Sequence, residues 1–226
     1  MSLFADVVLI CGRCKAGTKV ALSASVNADR RPDLRAAILD GSFQALHCPS
    51  CDAPIRLPSR TTYIDMGRGQ WIMVDESAHL NDWRTIEGEA TALFAGSSGA
   101  KAPPVQRSIG GALTPRLVFG WPALREKLIA AEASLDDTVL ELTKIAVLRN
   151  VPDSPLQDDN ELRLIAASDD DLTLRWVESA TEKPLFDLPL KRTIYDDIAA
   201  RPDPWAQLAA RLHEGLFVDM ARMFRA

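Results

Sequence analysis

Alternating apolar and polar residues over roughly the first eighty positions, helical periodicity near 120–150 and a return to alternation after 160 predict an α+β protein in two lobes. The N-terminal lobe, residues 1–150, is expected to be mostly β with a helical hairpin, and the C-terminal lobe, residues 151–226, to be a small α+β unit. With 226 residues, 47% of them hydrophobic, the chain carries enough apolar surface for real cores, which excludes global disorder.

Residues 5–10 read as a short strand leading into Cys11, and Thr18 to Val26 alternate with β-branched and apolar residues as the strand that leaves the first cysteine pair. Pro32 suits a first helical position, Leu34, Ile38 and Leu39 fall at helical spacing, and Gly41 is placed to close that helix in a left-handed cap. Phe43 to His47 return to strand character and deliver Cys48. Thr62–Asp65 and Gln70–Val74 flank Met66-Gly67-Arg68-Gly69 as a hairpin. A flexible loop is expected at about 95–115, where glycine, serine, alanine and proline leave little to pack. Arg116 to Trp121 form a strand, and Pro122 opens a helix to Glu132 with Leu124 and Leu128 facing inward. Ser134 as N-cap and Asp137 in an acidic first turn start its companion, with Leu135, Val139, Leu142 and Ala146 on one stripe.

Past a connector at Pro152 to Pro155, Glu161–Ala166, Leu172–Val177 and Leu185–Leu188 predict a three-stranded meander. Ile194–Ala200 and then Pro204–Arg225 follow as helices, the second presenting Leu208, Leu212, Leu216 and Met220 to its own core in preference to a dimer contact; a homodimer stays open.

The chemistry lies in the four cysteines, arranged as Cys11-Gly12-Arg13-Cys14 and Cys48-Pro49-Ser50-Cys51. Two residues between thiols let both reach one ion around a tight turn, and two such turns complete a tetrahedral shell. The interval between the knuckles exceeds the ~15–20 residues of the compact pattern, and the extra strand and helix account for it. Cys11, Cys14, Cys48 and Cys51 are therefore expected to hold one structural Zn2+ in a zinc-ribbon-like lobe; a redox-active dithiol is the lesser reading.

Four protein thiolates leave no open position for water or substrate, so a catalytic metal is disfavoured. His47 is left out of the shell, and His79 and His213 stand isolated. No nucleophile elbow, phosphate loop or dinucleotide fingerprint occurs, and no enzyme is expected. A ribbon could also hold single-stranded nucleic acid with Arg30, Arg31, Arg35, Arg56, Arg60 and Arg68 beside Tyr63 and Trp71. Interleaved Asp29, Asp33, Asp52 and Asp65 and a net charge of -5 disfavour that reading. Val7-Val8-Leu9-Ile10 is too short for a signal or an anchor, so the expected compartment is the reducing cytoplasm with no membrane partner, where paired knuckles favour metal over disulfides.

The knuckles and their surroundings resemble the CpXC family, named for two Cys-Pro-x-Cys motifs. Asn27, Pro32-Asp33-Leu34, Leu39 and Gly41 before the second knuckle and Tyr63 and Asp65 after it match that pattern. So do Arg116-Leu117-Val118-Phe119, Leu124, Glu126-Lys127, Leu135-Asp136-Asp137, Glu141 and Lys144, which carries the resemblance over about residues 5–150. Gly12 departs from it by standing where the first motif has proline. The resemblance brings no catalytic residue, and 151–226 lie outside it. The function expected is a non-enzymatic zinc protein whose ribbon presents a surface to a protein partner; a nucleic-acid-binding ribbon or a thiol redox or zinc-sensing switch are the alternatives.

Overall fold

The protein is described here from a computed structural model covering residues 2–150 and 159–225. Strand β1 (Leu3–Ile10) runs antiparallel to β2 (Gly17–Asn27). Helix α1 (Pro32–Asp40) follows, begun by Pro32 and closed by Gly41 at φ 84, the left-handed cap its sequence predicts. Short strands β3 (Ala45–His47) and β4 (Pro54–Arg56) form a separate antiparallel ladder with the second knuckle between them. Strand β5 (Thr61–Asp65) lies parallel to β2, and the expected hairpin turns it into antiparallel β6 (Gln70–Asp75). Strand β7 (Thr114–Phe119), parallel to β6, completes a five-stranded mixed sheet in the order β1-β2-β5-β6-β7.

The α+β class holds, and the alternation along β6 shows how the sheet is covered on both faces. Ile72 and Val74 join Val26, Tyr63, Leu124 and Leu128 in one core, while Trp71 and Met73 join Trp83, Ile86, Phe119 and Phe217 in another. Helix α4 (Gly120–Glu132) packs on the first side with α1, and α5 (Asp137–Leu148) follows it. The cap of α5 is Asp136, not Ser134: Asp136 has extended backbone and accepts the Thr138 and Val139 N–H groups, whereas Ser134 sits at φ 53 in the connecting turn.

The loop expected at 95–115 is corrected. Helix α2 (Trp83–Ser97) enters it and α3 (Pro104–Gly110) occupies its middle. The small residues serve close approach: a Cβ at Gly110 would lie 1.8 Å from the Ser98 carbonyl oxygen, so only glycine lets these backbones meet, and Ala102 is buried beside them.

The expected connector at Pro152 to Pro155 lies outside the described residues. Strands β8 (Asn160–Ala167), β9 (Asp171–Glu178) and β10 (Pro184–Lys191) form the predicted antiparallel meander, followed by α6 (Arg192–Ala200). The single helix expected over 204–225 is instead two, α7 (Ala206–Leu212) and α8 (Ala221–Phe224). Between them tertiary hydrogen bonds replace helical ones: the Phe217 N–H donates to Glu87 Oε1, and the Leu216 carbonyl accepts the Leu117 N–H.

Candidate metal centre

The two knuckles are built alike. The Cys11 N–H donates to the Ala16 carbonyl and the Cys11 carbonyl accepts the Lys15 N–H; Cys48 repeats both bonds with Ala53 and Asp52. Lys15 and Asp52, at φ 63 and 56, make the left-handed step that lets each turn close. Val20, Ala53, Ile55 and Leu57 pack against Cys11 and Cys48 and fix the two turns to each other.

All four predicted ligands come together. Cys11 Sγ lies 3.8 Å from Cys51 Sγ, Cys14 Sγ lies 3.6 Å from Cys48 Sγ, and the four sulfurs all fall within 4.8 Å of one another. Sulfurs set tetrahedrally about 2.3 Å from one ion are separated by about 3.8 Å, so the donor set fits a single four-coordinate metal. The backbone N–H groups of Cys14 and Arg13 hold the Cys11 thiol down at about 6 despite its burial. Cys51 accepts the Ala53 N–H, but the neighbouring Cys14 thiol, burial and the Cys48 and Cys11 thiols outweigh it and push Cys51 up to about 12. Crowded thiolates repel one another, and a central dication offsets that repulsion.

The three histidines are engaged elsewhere. His47 is exposed and 3.1 Å from Asp52 Oδ1, the His79 ring lies 2.6 Å from Asp75 Oδ1, and His213 meets the Thr138 hydroxyl at 2.7 Å. The aromatic platform for nucleic acid does not form, because Tyr63 and Trp71 lie in the cores. Five of the six arginines named for that face are paired with acids: Arg31 with Asp33, Arg35 with Asp65 and Glu132, Arg56 with Glu182, Arg60 with Asp75 and Glu89, and Arg68 with Asp65.

A second constellation escaped the sequence reading. Lys144 Nζ lies 2.7 Å from Glu126 Oε2 and 2.8 Å from Glu141 Oε1, and Arg163 bridges Glu126, Glu161 and Asp219. Glu126 also accepts the Leu164 N–H and Glu141 the Met220 N–H, so one buried cluster ties α4 and α5 to β8 and the C-terminal segment. Burial raises Glu141 to about 7, with Lys144 pulling the other way and Asp219 and Glu126 adding to the rise. Asp219 also meets the penalty of burial, but Arg163 and Lys144 outweigh it and hold the carboxyl below its usual range. The carboxylates of Glu126, Glu141 and Asp219 lie close enough to share an ion, but Lys144 and Arg163 already supply the cations. This is an ion-pair core, whose local traces in sequence are the i, i+3 spacing of Glu141 and Lys144 and the i, i+2 spacing of Glu161 and Arg163.

A cleft of about 490 Å³ opens between Leu57, Ser59, Trp121, Ser179, Thr181 and Glu182. Its charged wall ties β4 to the turn before β10: Arg56 donates to Glu182 at 2.9 Å and to the Gly41 and Phe43 carbonyls, and lies over the Trp121 ring. Among the described residues, no helix is long and apolar enough to cross a membrane.

Fold and centre together define an α+β protein with four thiols gathered from two tight turns into a site able to hold a metal ion. The CpXC protein family matches residues 9–144, from the end of β1 into α5, and the chain belongs to that family. No curated protein and no solved structure matches it.

Proposed function

We propose that the chain is a non-enzymatic zinc protein in which Cys11, Cys14, Cys48 and Cys51 hold one structural Zn2+ and the ribbon so fixed offers a surface to a protein partner. The observation that carries this reading is the convergence of four sulfurs at tetrahedral spacing, 3.6 and 3.8 Å across the knuckles. An all-sulfur donor set favours zinc over the harder divalent cations, and a shell closed by protein thiolates has no position for a substrate. The metal would then act on stability. Structural zinc contributes ~10–16 kcal/mol in apparent terms, and it would add to a small apolar cluster beneath the thiols, Val20, Ala53, Ile55 and Leu57 with Val7, Leu9, Leu22 and Leu46 packed against them.

The surface offered is the rim of the two turns. Gly12, Arg13, Lys15, Pro49, Ser50 and Asp52 are exposed there while Cys11 and Cys48 are buried behind them. A rim that mixes small residues with charges of both signs, Arg13 and Lys15 beside Asp52, suits a protein surface better than a polyanion. The paired arginines and the burial of Tyr63 and Trp71 weigh against nucleic acid in the same way.

Elemental analysis of the untagged protein, with thiol titration before and after chelation, tests the reading. Close to one zinc per chain and four thiols released by chelator is the expected result. No metal with four reactive thiols, or two disulfides, overturns it in favour of a thiol redox switch.

A further inference from the structure

Four arginines line one cavity of about 210 Å³, which is bounded by α4, the end of α1 and strands β8 and β9. Three of the four are compensated. Arg56 pairs with Glu182, Arg163 with Glu126, Glu161 and Asp219, and Arg175 with Asp187. The fourth, Arg125 on α4, forms no ion pair among the described residues, and its Nε is buried without a hydrogen-bond partner. Burial and then the Arg175 charge lower its pKa from the ordinary arginine value; Asp40 opposes them without forming an ion pair, its carboxylate accepting the Ser42 N–H at 2.8 Å. A buried charged donor with no acceptor costs free energy, and in folded proteins such a group is normally met by water or an ion.

We propose that this cavity binds a small organic monocarboxylate, anchored by Arg125. The planar fork of a guanidinium donates two parallel hydrogen bonds to the two oxygens of a carboxylate. One uncompensated cation calls for one negative charge. A phosphate dianion would bring a second charge for which no free cation is left, against a wall that already holds the Glu182 carboxylate. Ile38, Trp121, Leu164 and Val177 supply apolar walls for a hydrocarbon body. The volume falls short of the ~300–1,000 Å³ of pockets for drug-sized molecules, which confines that body to a short branched chain or a single ring. The inference does not depend on the metal that the thiols hold or on a protein partner at the knuckles.

The test is a titration of the full chain, as purified, with isovalerate, benzoate and inorganic phosphate near neutral pH and at fixed ionic strength. Heteronuclear NMR follows the Trp121 indole N–H, which is fixed on the Leu57 carbonyl at the cavity wall, and the Arg125 Nε–H. Saturable shifts of both signals are expected, with a dissociation constant of about 0.1–5 mM for at least one of the two acids and binding of phosphate weaker by about tenfold or more. Arg125→Met keeps the length of the side chain and leaves no acid unpaired, so it should fold with an undiminished urea midpoint and weaken the acid about tenfold or more. Arg125→Lys, which keeps the charge without the fork, should weaken it by a smaller factor. No saturable shift up to ~20 mM of either acid overturns the proposal and leaves water on the Arg125 Nε. Phosphate bound as tightly as the acids overturns the carboxylate class, and binding that neither substitution weakens places the site elsewhere.

Discussion

Replacing Lys144 with methionine removes the ammonium shared by two buried carboxylates while nearly keeping the length of the side chain. Lys144, Glu126 and Glu141 are all 0% exposed, with Nζ at 2.7 and 2.8 Å from the two acids. Removing one member of a buried pair costs about 3–5 kcal/mol because the remaining charge has no water to return to. With m near 2–3 kcal/mol/M for urea, the midpoint should fall by roughly 1–2 M. The loss should also depend on pH. Glu141 titrates at about 7 in the folded chain against a reference value of 4.5. A carboxyl whose folded pKa is raised favours folding most when protonated, below its unfolded pKa, and its contribution declines as pH rises to the folded pKa. Without Lys144 that folded pKa moves higher still, so the decline continues further. The penalty of Lys144→Met should therefore be smaller near pH 5.5 than near pH 8. Adding Glu141→Gln should restore part of the stability, with a coupling of about 0.5–3 kcal/mol. A loss under ~1 kcal/mol at the higher pH, or equal losses at both, would refute the argument from an uncompensated buried charge.

Gly12 occupies in the first turn the place of Pro49 in the second, and nothing lies within 4 Å of a Cβ built there. Gly12→Pro should raise stability by about 0.4–1 kcal/mol in urea titrations at saturating zinc, and a loss would show that the two turns differ. At Gly110, where a Cβ would meet the Ser98 carbonyl oxygen at 1.8 Å, Gly110→Ala should cost about 1–3 kcal/mol; an unchanged Tm would deny that contact. Asp219 is held below its usual range by Arg163 and Lys144, so its stabilisation is present above the reference value of 3.8 and is lost as pH falls beneath it. Asp219→Asn should flatten the acid limb of a stability–pH profile. Chelation should expose the amides around Cys11, Cys48 and Ile55 to hydrogen exchange while those of Tyr63, Leu124 and Leu128 stay protected, because the two groups belong to separate cores.

Elements whose signals are local were legible in the sequence. Helix α1 shows its proline start and glycine stop, and β2 shows its β-branched and apolar alternation. Helix α2 did not show itself, because Trp83, Ile86 and Ala90 give it a sparse buried face and Gly88 and two threonines dilute its propensity. Composition misled over 95–115, where small residues mark close packing of α2 and α3 as well as they would mark a loop. Periodicity misled at the C-terminus. Leu208, Leu212, Leu216 and Met220 keep helical spacing, but the backbone between α7 and α8 is claimed by Glu87 and Leu117, partners 130 and 99 residues away, which no local window contains.

The same distinction separates the two charged centres. A thiolate site is assembled from turns of four residues, so half of its geometry is written at each knuckle and only the meeting of Cys11 and Cys14 with Cys48 and Cys51 is left to the fold. The ion-pair core has no such local unit: Glu126 meets Lys144 across 18 residues, Arg163 across 37, and Arg163 meets Asp219 across 56. Each of these groups alone looks like an ordinary surface charge. Yet Glu126, Glu141 and Lys144 fall inside the span matched to the CpXC family, while Arg163 and Asp219 lie beyond it. Within the matched span Glu126 and Glu141 share one cation, Lys144, and β8 adds Arg163 as a second partner for Glu126, although Arg163 also holds Glu161 and Asp219. A chain cut after α5 would expose or strand Glu126 and Glu141 with a single cation. It should therefore fold poorly even with its four-thiol centre intact, which metal content and hydrogen exchange on the same truncated protein would separate.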